Sequence, residues 1–152
     1  MPANPLQFGG SEHFDATPER VFAAAIDLDA VPGNIPDLVS HERIDQHTLR
    51  AVVKPGVSFL RGTLKMEIKL ADLTPPEAGT MLLNVQGIGT SIQVESKMKI
   101  SPDGDGSRLD WQATVTQLKG LIASISPGLV KATAEKTITE GWTRLRERLA
   151  KG

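Results

Sequence analysis

From Val39 onward the apolar residues settle into a period of two and keep it for about eighty residues, the pattern that most restricts how this chain can fold. Leu60, Gly62, Leu64, Met66, Ile68 and Leu70 alternate with Arg61, Thr63, Lys65, Glu67 and Lys69. Ile92, Val94, Ser96, Met98 and Ile100 alternate with Gln93, Glu95, Lys97 and Lys99. After the turn Asp103-Gly104-Asp105-Gly106, Leu109, Trp111, Ala113 and Val115 supply one more inner face. Such alternation marks strands that are buried on one side and wet on the other. Shorter strands are expected at Val39–Asp45, Leu49–Val53 and Met81–Gly87, with Pro75-Pro76-Glu77 as a break. Six one-sided strands joined by short turns form an antiparallel meander, and its apolar face requires a cover.

The cover is the stretch from Ser126 to Leu149. Val130, Ala134, Ile138, Gly141, Trp142, Leu145 and Leu149 recur at three- and four-residue steps and fall within about a 120° arc of a helix. Lys136, Thr139, Glu140, Thr143, Arg146 and Glu147 are expected to point away, and Lys131 lifts its head into water. Ser126 serves as N-cap with Pro127 at the first helical position, and Arg144, Arg146, Arg148 and Lys151 suit the negative end of the helix dipole. Ahead of the meander, Leu6–Ala16 reads as a first strand interrupted by Gly9-Gly10. Thr17-Pro18-Glu19 then opens a short helix whose inner face is Val21, Phe22 and Ala25. Asp27, Asp29 and Pro32-Gly33-Asn34 end it or bend it into a second short helix. The order β-α-α-β6-α describes one α+β domain over residues 1–152, a helix grip: a curved sheet of about seven strands wrapped around a long C-terminal helix. A concave sheet closed by one helix tends to leave a cavity beside it.

Composition removes several function classes. Seventeen basic against eighteen acidic residues give a formal charge of −1, so nothing electrostatic favours nucleic acid. The absence of cysteine excludes disulfides, thiolate metal sites and cysteine nucleophiles together. Met1-Pro-Ala-Asn-Pro lacks the basic and apolar regions of a signal peptide, and no apolar run approaches the ~18–20 residues of a membrane span. A cytoplasmic protein without a transmembrane segment is the expectation.

The motifs between these elements resemble a known family. Phe14-Asp15-Ala16-Thr17-Pro18-Glu19-Arg20-Val21-Phe22, the step Ile35-Pro36, and Val57 followed by Arg61-Gly62-Thr63 are three parts of the likeness. Leu73-Thr74-Pro75-Pro76-Glu77 and Pro102-Asp103-Gly104-Asp105-Gly106-Ser107-Arg108-Leu109 complete it. From about Phe14 to Leu149 the chain resembles the START-like (SRPBCC) superfamily and, within it, the G-subunit proteins of carbon monoxide dehydrogenase. The resemblance implies an accessory protein encoded beside aerobic CO dehydrogenase subunits, linked to bringing that enzyme to the membrane and to handling lipophilic molecules such as quinones. Longer members carry a proline-rich linker and a hydrophobic or amphipathic tail after this domain. Gly152 is followed by neither here, so the expectation rests on pocket binding, with membrane contact peripheral at most.

Residues able to carry chemistry are sparse. His13, His41 and His47 show neither the i,i+4 spacing nor the adjacent glutamate of a zincin. Asp103-Gly104-Asp105-Gly106 fails as a calcium loop because Arg108 stands at the obligatory glycine and Thr114 at the bidentate glutamate. Gly87-Ile88-Gly89 lacks a third glycine and a following helix, and no serine sits in a G-x-S-x-G elbow. Asp27 and Asp29 read as helix-end residues. No metal and no cofactor is expected.

What remains is an apolar pocket. On the sheet side the strand phases offer Leu64 and Met66, Leu83 and Val85, Met98, and Trp111, Ala113 and Val115. On the helix side they offer Ala134, Thr137, Ile138 and Gly141, with Ile122 and Ile125 near a mouth between Gly120 and Gly128. These apolar stripes also suit a dry packed core. Small residues facing small residues favour a gap, and methionines offer an adaptable lining. Ser96 and Gln117 are the polar residues on the inward phases, with no acid, base or histidine among them. The expected function is a non-catalytic carrier of a lipophilic, quinone- or lipid-like molecule, serving a redox enzyme complex. The alternatives are a polyketide cyclase- or dehydratase-like enzyme using the same cavity, and a docking module with no ligand.

Overall fold

The computed structural model describes residues 7–35, 37–54, 62–87, 89–120 and 127–151. In chain order these form β1 (Gln7–Phe14), α1 (Pro18–Ala25), a 3₁₀ turn (Val31–Asn34), β2 (Leu38–Asp45), β3 (Thr48–Val53), β4 (Leu64–Thr74), β5 (Ala78–Gly87), β6 (Thr90–Asp103), β7 (Gly106–Gly120) and α2 (Pro127–Lys151). The seven strands make one antiparallel sheet in the order β1-β7-β6-β5-β4-β3-β2. Both helices cover its concave face, which is the helix grip anticipated from the alternation.

Local chemistry explains the element boundaries. Thr17 caps α1 by accepting the Arg20 N–H at 3.3 Å, and Pro18 follows at the first turn. Ser126, the expected cap of α2, lies outside the described residues. β4 starts at Leu64 rather than Leu60. Gly62 precedes it with φ 115°, a conformation that suits glycine and does not continue a strand, while Leu60 and Arg61 lie outside the described residues.

Gly9-Gly10 does not interrupt β1 as the sequence suggested. A Cβ at Gly9 would lie 2.5 Å from the Trp111 carbonyl oxygen, and one at Gly10 would lie 3.2 Å from Trp111 Nε1. The glycines let β1 lie flat against β7 beneath the indole. Phe8 then meets the same ring edge-on, with centroids 6.1 Å apart.

Registers across the sheet define its inner rows. Met66, Val85, Ile92 and Leu118 align in one row, Ile68, Leu83, Val94 and Val115 in the next, then Leu70, Met81, Ser96 and Ala113. Gln117 departs from its expected inward place. The pairing slips between Gln93 and Val94, leaving Thr116 as the extra residue of a bulge. Beyond it Gln117 turns to the outer face, where its Nε2 donates to Ser91 Oγ at 3.0 Å, and Leu118 takes the inner position.

The two ends of α2 sit differently from its middle. Val130 (7% exposed) packs with Val53, Leu64 and Val85. Further along the helix, Leu145 (1% exposed) enters the cluster of Phe14, Val21, Phe22 and Leu109. Arg146 belongs to that second anchor, although the helical wheel turns it outward. Its Nε donates to the His13 carbonyl at 2.9 Å, one terminal nitrogen meets Glu12 at 2.9 Å, and the guanidinium lies 5.0 Å from the Phe14 ring centroid. The helix end crosses the β1 edge there, so a long planar cation reaches the sheet from outside the apolar arc. Arg148 donates to the Ala30 carbonyl at 2.8 Å, and Arg20 of α1 to the Leu149 carbonyl at 3.4 Å.

β2 is the opposite edge. Six of its residues pair with β3, with irregularities beside Val39 and Ile44, and from Val39 to Asp45 it is exposed throughout.

Leu145→Ala should cost about 2–5 kcal/mol, the range for emptying a filled leucine site. Thermal melting of the variant checks this, and a loss under about 1 kcal/mol would show that α2 is not seated through Leu145.

Candidate functional site

The concave face brings most of the expected pocket residues together in two different environments. Leu64 and Val85 are buried against Val130, and Trp111, Ala113 and Val115 are buried in the cluster around Leu145. Met66, Leu83 and Met98 on the sheet, and Ala134, Ile138 and Gly141 on α2, are half-buried. Thr137 is exposed, at the margin of the helical stripe. Ile122, Ile125 and the rest of the expected mouth lie outside the described residues.

Half-buried apolar side chains on facing surfaces are informative because of where they lie. They occupy the middle of α2 and the sheet rows opposite it, between the Val130 and Leu145 anchors. Fifteen residues of helix separate those anchors, about 22 Å at 1.5 Å per residue. A separate small cavity of about 40 Å³ lies where Ala25 of α1 and Trp142 of α2 meet β4 to β6, bordered also by Leu70, Leu73, Gly79, Thr80, Met81, Ser96 and Met98.

Several residues of this face are not singled out by the sequence. Trp142 falls on the helical stripe but outside the expected pocket. Ile92 and Leu118 belong to the inner row of Met66 and Val85, and Met81 shares a row with Ser96. Alternation within β5 and β6 carries the signal for Met81 and Ile92. Leu118 is concealed by the bulge at Thr116.

Polar groups on this face are few. Ser96 keeps its expected inward place opposite Ala113 and Met81. The indole N–H groups of Trp111 and Trp142 are buried and have no hydrogen-bond partner among the described residues. Glu12 stands in the inner register of β1 opposite Leu109, tied to Arg146. The histidines are elsewhere. His13 lies between Asp15 at 3.2 Å and Asp103 at 3.1 Å, while His41 and His47 are exposed on β2 and its turn. Among the described residues, no group of three or more histidine, aspartate or glutamate side chains is placed to hold a metal ion.

A larger depression of about 570 Å³ lies elsewhere, mainly on the outer surface of β2 to β5. Arg50, Lys65, Glu67, Asn84 and Gln86 border it, with Arg50 and Glu67 paired at 3.2 Å. The charged side chains of Arg50, Lys65 and Glu67 and the exposed amide of Gln86 make it poorly suited to an apolar guest. The concave face remains the better candidate.

Two carboxyls are held below their ordinary value, and neither faces the helix. Asp110 is lowered first by the Ser11 hydroxyl and then by Arg108, whose Nε donates at 3.0 Å. Asp45 is lowered first by the His47 backbone N–H at 2.9 Å and then by the Thr48 hydroxyl. Because the folded value of Asp110 lies below the unfolded one, its contribution is complete above the ordinary carboxylate range and fades as pH falls through the lowered value. Asp110→Asn should therefore melt lower than the parent at neutral pH, and the two should converge in acid. Melting curves across pH check the sign, and a gap that persists or widens in acid would contradict it.

A curved antiparallel sheet gripping a long helix through an apolar face is the START-like architecture, and solved structures share it along nearly their whole length. A conserved protein from Geobacillus kaustophilus superposes with TM-score 0.88 at 21% identity, covering 96% of both chains. Ara h 8.0201 gives 0.75 at 14% identity, covering 97% of this chain and 99% of that one. A START superfamily protein from Mycobacterium smegmatis gives 0.70 at 16% identity, covering 95% and 97%. No curated protein matches the sequence. Residues 10–150 match the model of CoxG, the G-subunit family of carbon monoxide dehydrogenase, and the chain belongs to that family.

Proposed function

We propose that this protein is a non-catalytic carrier of a lipophilic small molecule, quinone- or lipid-like, held between the sheet and α2. One observation carries the reading. A helix fixed at both ends keeps the apolar stripe of its middle turns, Ala134, Ile138 and Trp142, half-buried opposite the half-buried Met66, Leu83 and Met98. Apolar surface left partly open on two facing elements is what a guest would cover. The methionines supply a lining able to follow guests of different shape.

Membership of the CoxG family supports a role beside a redox enzyme of the CO dehydrogenase type, and we place the carrier in the cytoplasm, able to make peripheral contact with a membrane. No described helix is long and apolar enough to cross a membrane. A non-catalytic role is favoured over the cyclase or dehydratase alternative by the inner polar set. Ser96 and two indoles offer no acid–base pair, and Glu12 is engaged by Arg146.

Ala134→Leu tests the space directly, since leucine keeps helix propensity and adds carbon atoms at the middle of the stripe. With a guest cavity there, stability should hold or rise while binding of a prenylated quinone, followed by quenching of Trp111 and Trp142 fluorescence, falls severalfold. A filled core would instead give an overpacking loss of about 1–3 kcal/mol and a parent protein whose fluorescence the quinone leaves unchanged. That pair of results would end the carrier reading. Native mass spectrometry of the purified protein should show a co-purifying apolar mass.

A further inference from the structure

The outer face of the sheet carries side chains that a carrier has no use for. We infer that the cross-strand row Lys65, Gln86, Ser91 and Lys119 is a docking surface for an extended, acidic segment of a partner protein. Nothing in this depends on what the concave face holds.

The strand registers set the four side by side: Lys65 pairs with Gln86, Gln86 with Ser91, and Ser91 with Lys119. Lys65, Gln86 and Lys119 are exposed, and Ser91 is half-buried. The bulge at Thr116 builds the far end of the row. Without that extra residue Lys119 would turn to the concave face, as unbroken alternation predicts for Gln117. Gln117 Nε2 donates to Ser91 Oγ at 3.0 Å, so the hydroxyl hydrogen of Ser91 is free to donate outward. The hollow of about 570 Å³ holds Lys65 and Gln86, and another of about 390 Å³ holds Gln86, Ser91 and Lys119, so the two meet along this row.

Charge decides what the row takes. Other cations of the outer face are compensated. Arg50 meets Glu67 at 3.2 Å, Lys97 meets Glu95 at 3.5 Å and Arg108 meets Asp110 at 3.0 Å. Lys69 and Lys99 lend their charge to Asp45 and Asp110. Lys65 and Lys119 form no ion pair among the described residues, and they bracket two neutral side chains able to donate. Three strand spacings separate them, about 14 Å, a distance that an extended chain covers in about four residues. Carboxylates four positions apart therefore reach both lysines, with the backbone carbonyls between them passing over Gln86 and Ser91. Glu42 borders the larger hollow on its β2 side and turns an acidic chain towards β7. A bilayer fits this surface less well. The helices cover the concave face, so the outer face is convex and meets a plane only along its crest. The row also has no exposed apolar side chain to insert.

The test is a nitrogen-edited NMR titration of the full chain with a capped twelve-residue Gly/Ser peptide carrying two glutamates four positions apart. Amide resonances of Lys65, Gln86, Ser91 and Lys119 should move. The peptide should bind about 2–30-fold more tightly than its glutamine counterpart, the yield of two exposed ion pairs. Adjacent glutamates should lose most of that gain, and salt at about 1 M should remove it. Lys65→Gln combined with Lys119→Gln should abolish the preference, while Lys69→Gln combined with Lys99→Gln should leave it. All four lysines are exposed, so both variants keep the fold. Equal binding of the glutamate and glutamine peptides, movement confined to other parts of the sheet, or a preference that survives loss of Lys65 and Lys119 would overturn the assignment. So would a protein that ignores the peptide yet sediments with phosphatidylglycerol vesicles in a manner dependent on those two lysines, which would give the surface to lipid. Each of these outcomes leaves the carrier reading where its own quinone titration puts it.

Discussion

The seating of α2 at two separated points is the constraint on which the rest of the concave face depends. Val130 is closed over by Val53, Leu64 and Val85, and Leu145 by Phe14, Phe22 and Leu109. Between those points Ala134, Ile138 and Trp142 pack against the same cluster yet stay half-buried, along a helix that is stiff over this length and a sheet whose curvature is set by seven paired strands. The polar ties at the C-terminal end strengthen this geometry. Arg146, Arg148 and Arg20 fasten α2 to β1, to the turn after α1 and to α1 itself, so three separate parts of the chain hold one helix end.

Much of this was legible in the sequence, and the reasons are physical. Period-two alternation is imposed by the pleat, so Ile92, Val94, Met98 and Ile100 could be assigned to one face without knowing their neighbours. The helical stripe follows equally directly from 3.6 residues per turn. What escaped needed a neighbour. Gly9-Gly10 read as a weakness because the chain does not announce that Trp111 of β7 will lie against it. Gln117 was misplaced because one extra residue, Thr116, inverts every following side chain of β7. Arg146 faced outward on the wheel, which ignores how far a guanidinium reaches across an edge strand.

The candidate site divides along the same line. Which residues face inward is a local property, and Leu64, Met66, Leu83, Val85 and Met98 were recoverable. Whether they are covered is a property of how far α2 stands from the sheet, and nothing in the spacing of a stripe encodes that distance. Trp142 shows the difference plainly. Sequence places it on the apolar arc, and only the packed structure shows its N–H buried without an acceptor among the described residues. Membership of the CoxG family agrees with the architecture that the alternation and the helical stripe already describe.

The opposite border of the sheet bears on a different matter, how this protein behaves when crowded. β2 presents an outer edge of backbone donors and acceptors, and Val39 (59% exposed) and Ile44 place apolar side chains beside it. A straight strand of that kind would be a template for joining one molecule's sheet to the next. The pairing with β3 is irregular at just those two residues, and His41, Glu42 and Arg43 fill the stretch between. Kinks flanking a charged centre deny an incoming strand the flat, regular ladder it needs. The same irregularity that makes β2 look poorly formed works against edge-to-edge pairing of one copy's sheet with the next.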